Sequence, residues 1–186
     1  MPNLNKTEIV MVMDATGSMM GSRHTEAVNG YNEFIQQQKN IPGDCAITLV
    51  KFNSTIGVMS IYDSKPIQQV ETLSYFCCDG MTDLNDAIGK SIVNLGKKLE
   101  AMPEDQRPGK VIMVILTDGE ENSSKEYSYQ QIKDMMEHQR TKYNWQFLVM
   151  GSADINASPD GKFAGLASVS GTHGARGITG DLGNGG

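Results

Sequence analysis

Three short apolar runs limit what this chain can fold into. Ile9-Val10-Met11-Val12-Met13, Val111-Ile112-Met113-Val114-Ile115-Leu116 and Phe147-Leu148-Val149-Met150 contain no polar residue. Side chains on a strand alternate between two faces, so a strand that is apolar at every position leaves neither face for water. Such runs fit parallel strands covered by helices on both sides. Helical periodicity fills the intervals between them. Over 22–39, Val28, Tyr31, Phe34 and Ile35 share one face. Over 83–102, Leu84, Ile88, Ile92, Leu95 and Leu99 recur at helical spacing until Pro103 stops the pattern. Over 127–143, Ile132, Met135, Met136 and Gln139 lie inward or near it. A fourth, short helix is expected over 161–168. Residues 46–52 read as an alternating strand with Ile47, Leu49 and Lys51 on one face, and 57–62 as an edge strand forming a hairpin with it. The order strand, helix, strand, strand, helix, strand, helix, strand predicts an α/β sandwich. Its sheet is mostly parallel with one antiparallel edge, and helices cover both faces.

Composition narrows the function classes. A chain of 186 residues suits one globular domain. Its net charge of -6, with no basic stripe, argues against nucleic-acid binding. No apolar stretch approaches the roughly 20 residues that span a bilayer, and Met1 to Lys6 is too polar for a secretory leader. Cys45, Cys77 and Cys78 make a poor disulfide framework and lack zinc-site spacing, so a reduced, cytoplasmic setting is expected. The domain is read as 1–170, followed by a glycine-rich tail over 171–186. Seven of those last 16 residues are Gly, recurring at every third position, without the Pro of a collagen helix. The tail reads as a flexible end, or alternatively as a glycine-packed segment that associates with copies of itself.

The first strand runs into Asp14-Ala15-Thr16-Gly17-Ser18. In a parallel α/β sheet, ligands bind where strand C-termini meet the following loops. One carboxylate and two hydroxyls there are hard oxygen ligands, suited to Mg²⁺ or Mn²⁺ over softer metals. Gly80-Met81-Thr82-Asp83, just before the second helix, offers another hydroxyl in Thr82 and an N-cap candidate in Asp83. After the 111–116 strand comes Thr117-Asp118-Gly119, with Asp118 at the strand exit. Each element alone is common in turns. Together they bring Asp14, Thr16, Ser18, Thr82 and Asp118 to one edge of one sheet.

On these residues the chain resembles a von Willebrand factor A (VWA) domain carrying a metal-ion-dependent adhesion site, over roughly 7–155. The family's D-x-S-x-S loop corresponds to Asp14-Ala15-Thr16-Gly17-Ser18, with Thr16 keeping the hydroxyl of the middle serine. The family's threonine corresponds to Thr82 and its third-loop aspartate to Asp118. Asp83-Leu84-Asn85-Asp86-Ala87-Ile88-Gly89 resembles the second helix of small soluble bacterial or bacteriophage members. The resemblance implies a Rossmann-like fold and a bound Mg²⁺ or Mn²⁺. It also implies a non-enzymatic protein-binding role, in which a partner's Asp or Glu fills the ion's open position. The family's last strand and helix have little counterpart in the short, polar 153–170 stretch.

Other features have plainer readings. Glu120 and Glu121 are solvated loop acids. Asn122, Ser123 and Ser124 are turn and N-cap residues before the third helix, and His24 is an exposed helix residue, with a metal ligand at the site edge as the alternative. Residues 154–161 lack the glycine position and closing Glu of a calcium loop. Cys77-Cys78 are packing residues, with redox control of the Thr82 loop as the alternative. The methionines fill the core. Two competing functions stand beside the binding module. One is phosphoryl transfer with Asp14 as nucleophile. That chemistry usually needs a second acid where this chain has Thr16, and a lysine for which only Lys110, before the fourth strand, is on offer. The other is self-assembly through the glycine tail and the metal site.

Overall fold

The computed structural model describes residues 1–117 and 123–150. Five strands, β1 (Asn3–Asp14), β2 (Asp44–Asn53), β3 (Gly57–Pro66), β4 (Pro108–Leu116) and β5 (Gln146–Met150), form one sheet in the order β3-β2-β1-β4-β5. β1 pairs in parallel with β2 and β4, and β4 with β5, while β3 runs antiparallel to β2. Three helices, α1 (Ser22–Lys39), α2 (Leu84–Ala101) and α3 (Tyr129–Tyr143), cover the sheet. The expected fold class and element order are those the chain adopts. Among the described residues no helix is long and apolar enough to cross a membrane.

The apolar runs do what their lack of alternation requires. In β1, Ile9, Met11 and Met13 face α1, where they meet Tyr31, Phe34 and Ile35; Val10 and Val12 face α2 and α3, where they meet Ile88, Ile92 and Met136. β2 departs from the one-faced reading. Ile47 and Leu49 pack on the α1 side, but Val50 and Phe52 are buried on the other, because α2 extends over this strand as well. Glu8 is buried where β1 enters the sheet. It is tolerated because its Oε1 accepts hydrogen bonds from Thr48 Oγ1 and Ser64 Oγ, each at 2.8 Å.

Three boundaries correct the sequence reading. β3 continues to Pro66, a position open to proline because β3 pairs only with β2 among the described residues. α3 starts at Tyr129, capped by Ser128: Ser128 Oγ accepts from the Gln131 amide, and the Gln131 side chain accepts from the Ser128 amide. Ser123 and Ser124 therefore do not cap it. Lys110 lies inside β4, paired with Thr7 at the strand-entry end of the sheet. The expected helix over 161–168, the 154–161 turn, the 153–170 stretch and the 171–186 tail lie outside the described residues.

β1 occupies the point where the strand order reverses, with β2 on one side and β4 on the other. A crevice opens at the carboxyl ends of the strands flanking such a switch point. Asp14 is the last residue of β1 and reaches it.

Candidate metal centre

The Asp14 carboxylate is fully buried and held from two directions. Its Oδ1 accepts the Thr16 amide hydrogen at 2.9 Å, which folds the loop back over the strand end. Its Oδ2 accepts from Thr117 Oγ1 at 2.6 Å. Thr117 follows the last residue of β4, and the Met13–Leu116 pairing brings the two strand exits side by side. Burial raises the Asp14 pKa above the ordinary carboxylate value, and the hydrogen bonds from Thr117 and Thr16 oppose that rise.

Three hydroxyls adjoin this carboxylate. Thr16 Oγ1 and Ser18 Oγ lie 2.9 Å apart, and Thr82 Oγ1 donates to Thr16 Oγ1 at 3.3 Å. Thr16 and Thr82 are buried, while Ser18 is exposed. Four of the five residues expected at the site are thus gathered in one place, from two loops. Asp118 lies outside the described residues, as do Glu120, Glu121 and Asn122.

The loops are tied to each other by backbone. The Gly17 amide donates to the Gly80 carbonyl at 3.0 Å, Asp79 N to Ala15 O at 3.0 Å, and Ser54 N to Met81 O at 3.0 Å. Gly80 sits at φ +71°, where a Cβ would come within 2.8 Å of Ser54 Oγ. Asn53, at the end of β2, donates from Nδ2 to Ala15 O, and its Oδ1 caps the next turn through the Thr55 and Ile56 amides. His24 is half-buried rather than exposed. Its Nε2 lies 3.0 Å from Phe76 O and 3.2 Å from Phe76 N, and its ring packs on Tyr75 and Phe76. It fastens the segment leading to Thr82 onto α1.

From Ser123 onward, two acids tie the chain to the site. Ser123 N donates to Thr82 O at 3.2 Å, and Ser123 Oγ donates to the Asp83 carboxylate. Asp83 stands at the N-cap position of α2, yet its side chain makes no cap bond; it is spent on Ser123 instead. Asp86, buried in the first turn of α2, accepts from the amides of Lys125, Glu126 and Tyr127 at 2.9, 3.0 and 2.9 Å. Thr117, Asp86 and Asn53 were not singled out from sequence for these roles. The only signals were an Asn at a strand end and an acid in a first helical turn.

The donor set is hard and carries little charge. Among the described residues no group of three or more His, Cys, Asp or Glu could hold a metal ion, so carboxylate-rich and thiolate sites are not found there. A carboxylate beside three hydroxyls fits Mg²⁺ or Mn²⁺. Cys78 is half-buried nearby. Burial, with the Asp14 charge second, pushes its thiol up to about 11 and keeps it protonated, which disfavours redox control through this residue.

Neither a protein-family model nor a curated protein matches the chain. Solved structures do. Proximal thread matrix protein 1 from the mussel byssus superposes with a TM-score of 0.54 at 14% identity, covering 91% of this chain and 40% of its own. A second crystal form gives 0.54 at 12% identity, covering 91% and 41%. The ArnB paralog VWA2 from Sulfolobus acidocaldarius gives 0.47 at 20% identity, covering 80% of this chain and 35% of its own. The likeness is one of fold. It is a Rossmann-like α/β architecture, and the chain spans less than half the length of each of these three structures.

Proposed function

We propose that the chain is a VWA-type protein-binding module whose partner contact runs through a divalent cation, Mg²⁺ or Mn²⁺. Thr16, Ser18 and Thr82 would offer hydroxyl ligands, and Asp14 and Asp118 the negative charge. The observation that carries this reading is the convergence of the Thr16, Ser18 and Thr82 hydroxyls beside the buried Asp14 at a sheet switch point. Both Asp14 oxygens already accept protein donors. That favours Asp14 as a fixed charge acting through water, with the hydroxyls nearest the ion. Direct ligands that are neutral hydroxyls leave the ion's inner shell short of negative charge, so an acidic side chain from a partner would complete it. The ion's contribution is to attract and orient that carboxylate.

The module is read as non-enzymatic and as working in a reducing, cytoplasmic setting, in keeping with three free cysteines. Phosphoryl transfer by Asp14 is disfavoured by geometry: Thr16 stands where a general acid is needed, and Lys110 is at the far end of the sheet. The test is calorimetric titration of chelator-treated protein with Mg²⁺ and Mn²⁺, beside Asp14→Ala and Thr82→Ala. Binding by the native chain and its loss in both variants is expected. Equal titration of all three would overturn the reading.

A further inference from the structure

The rim of the candidate metal centre carries apolar side chains that the core does not need. Met19 and Met20 are neighbours on the first loop. Met19 is buried in the core at 2% exposure, whereas Met20, two residues past Ser18, is 65% exposed. On the second loop Met81 stands between Gly80 and Thr82 and is 53% exposed, while Thr82 beside it is buried. The backbones of these loops are joined by the Gly17–Gly80 hydrogen bond, so the two methionines stand on joined loops that also carry the three hydroxyls. Met81 is also bonded through N and O to Ser54, in the turn whose Ile56 is partly exposed. Tyr75, largely exposed, stacks on His24 at the start of α1.

Single exposed apolar residues are ordinary on protein surfaces. Exposed residues on both of the loops that carry the Thr16, Ser18 and Thr82 hydroxyls are a different matter. Such a surface, a polar centre within an apolar margin, matches the anatomy of a protein interface rather than that of a bare ion site. Methionine suits it, because a flexible, polarizable side chain adapts to the shape of what it meets.

We propose that Met20 and Met81 form an apolar margin that selects a partner whose acidic residue is flanked by apolar side chains. The inference rests on the proposed cation-bridged contact and adds the partner's local chemistry to it. Acidic segments with polar flanks would reach the ion but leave the margin uncovered. The gain for an apolar flank is about tenfold in affinity, the equivalent of burying on the order of 60 Å² of apolar surface.

The experiment uses the full chain, isotope-labelled and saturated with Mg²⁺, titrated with two synthetic pentapeptides and followed by amide chemical shifts. One peptide carries leucine on both sides of a central aspartate, the other serine. The expected result is about tenfold tighter binding of the leucine peptide. That preference should disappear in Met20→Ser/Met81→Ser, with Mg²⁺ affinity unchanged in calorimetry. Equal binding of both peptides, abolished by chelator, would overturn the apolar margin and leave the cation-bridged contact standing. Mg²⁺ bound with neither peptide recognised, or recognition indifferent to chelator, would overturn both. Because both methionines are exposed, the double variant keeps its fold, and a melting curve checks this.

Discussion

Thr117 Oγ1 donates a 2.6 Å hydrogen bond to Asp14 Oδ2 across 103 residues of sequence. It holds the carboxylate at the centre of the candidate site from the side opposite the Thr16 amide. Both residues are buried, so the bond has no ready substitute in water. Thr117→Val keeps the shape and removes the donor. The expected loss is about 2 kcal/mol of stability in chemical denaturation, the usual scale for a bond to a charged group. Mg²⁺ affinity is expected to fall, and Thr117→Ser to restore both. Full Mg²⁺ affinity in the valine variant would show that Asp14 is held well enough by Thr16 alone.

Burial of Asp14 gives the metal-free protein a pH dependence of defined sign. Its folded pKa is raised, so the folded state holds a proton that the unfolded chain gives up. This contribution to stability is full below the ordinary Asp pKa and is lost as pH rises through the raised one. Metal-free protein should therefore lose this increment on going up in pH, and Mg²⁺ should offset the loss, since the ion favours the charged form. In Asp14→Asn the increment is absent. Thermal melts of both proteins across the acid range, with chelator, should show a slope difference confined to that window. Parallel profiles would mean that Asp14 ionises in the folded protein as it does in water.

Asp86 organises the returning chain. One buried carboxylate takes three successive backbone amides, those of Lys125, Glu126 and Tyr127. Asp86→Ala leaves three donors to find water and is expected to cost about 3 kcal/mol. For a domain of this size that lowers the melting temperature by roughly 6–12 °C. The same variant should speed hydrogen exchange of the 125–127 amides far more than that of β1. A uniform increase across the sheet would place Asp86 in global stability rather than in local anchoring.

The contrast between what the sequence discloses and what it hides has a physical basis. Apolar runs disclose strands because burial on both faces is a local property, visible in the four to six consecutive letters of each run. Asp14, Thr16 and Ser18 were legible because their spacing is local too, and Thr82 because it precedes a strongly periodic helix. Thr117 was not, because its role depends on strand register: only the pairing of Met13 with Leu116 sets its hydroxyl beside Asp14. Asp83 and Asp86 sit at the start of a helix, where an acid ordinarily serves the cap or the dipole. Here tertiary donors claim both of them. His24 read as exposed because its partners, Tyr75 and Phe76, lie on a segment with no periodicity to place it.

Two glycines test whether the loop junction matters to the site. Gly80 is at φ +71°, a region that costs a residue with a Cβ roughly 1–2 kcal/mol. The Cβ of an alanine there would also lie 2.8 Å from Ser54 Oγ and 2.9 Å from Thr55 Oγ1. Ser54 Oγ accepts the Met81 amide, so moving it breaks the contact that seats the Thr82 loop. Gly80→Ala should thus lower stability by about 2 kcal/mol, and should weaken Mg²⁺ binding as the Gly17–Gly80 contact opens. Gly96, within α2, meets nothing within 4 Å of its would-be Cβ and has no positive φ. Gly96→Ala should raise stability by about 1 kcal/mol through helix propensity and leave Mg²⁺ affinity untouched. Paired denaturation and calorimetry on the two variants separate the effects. If Gly80→Ala lost stability but kept native Mg²⁺ affinity, the junction would serve the fold alone, and the site would depend only on the loops' own internal bonds.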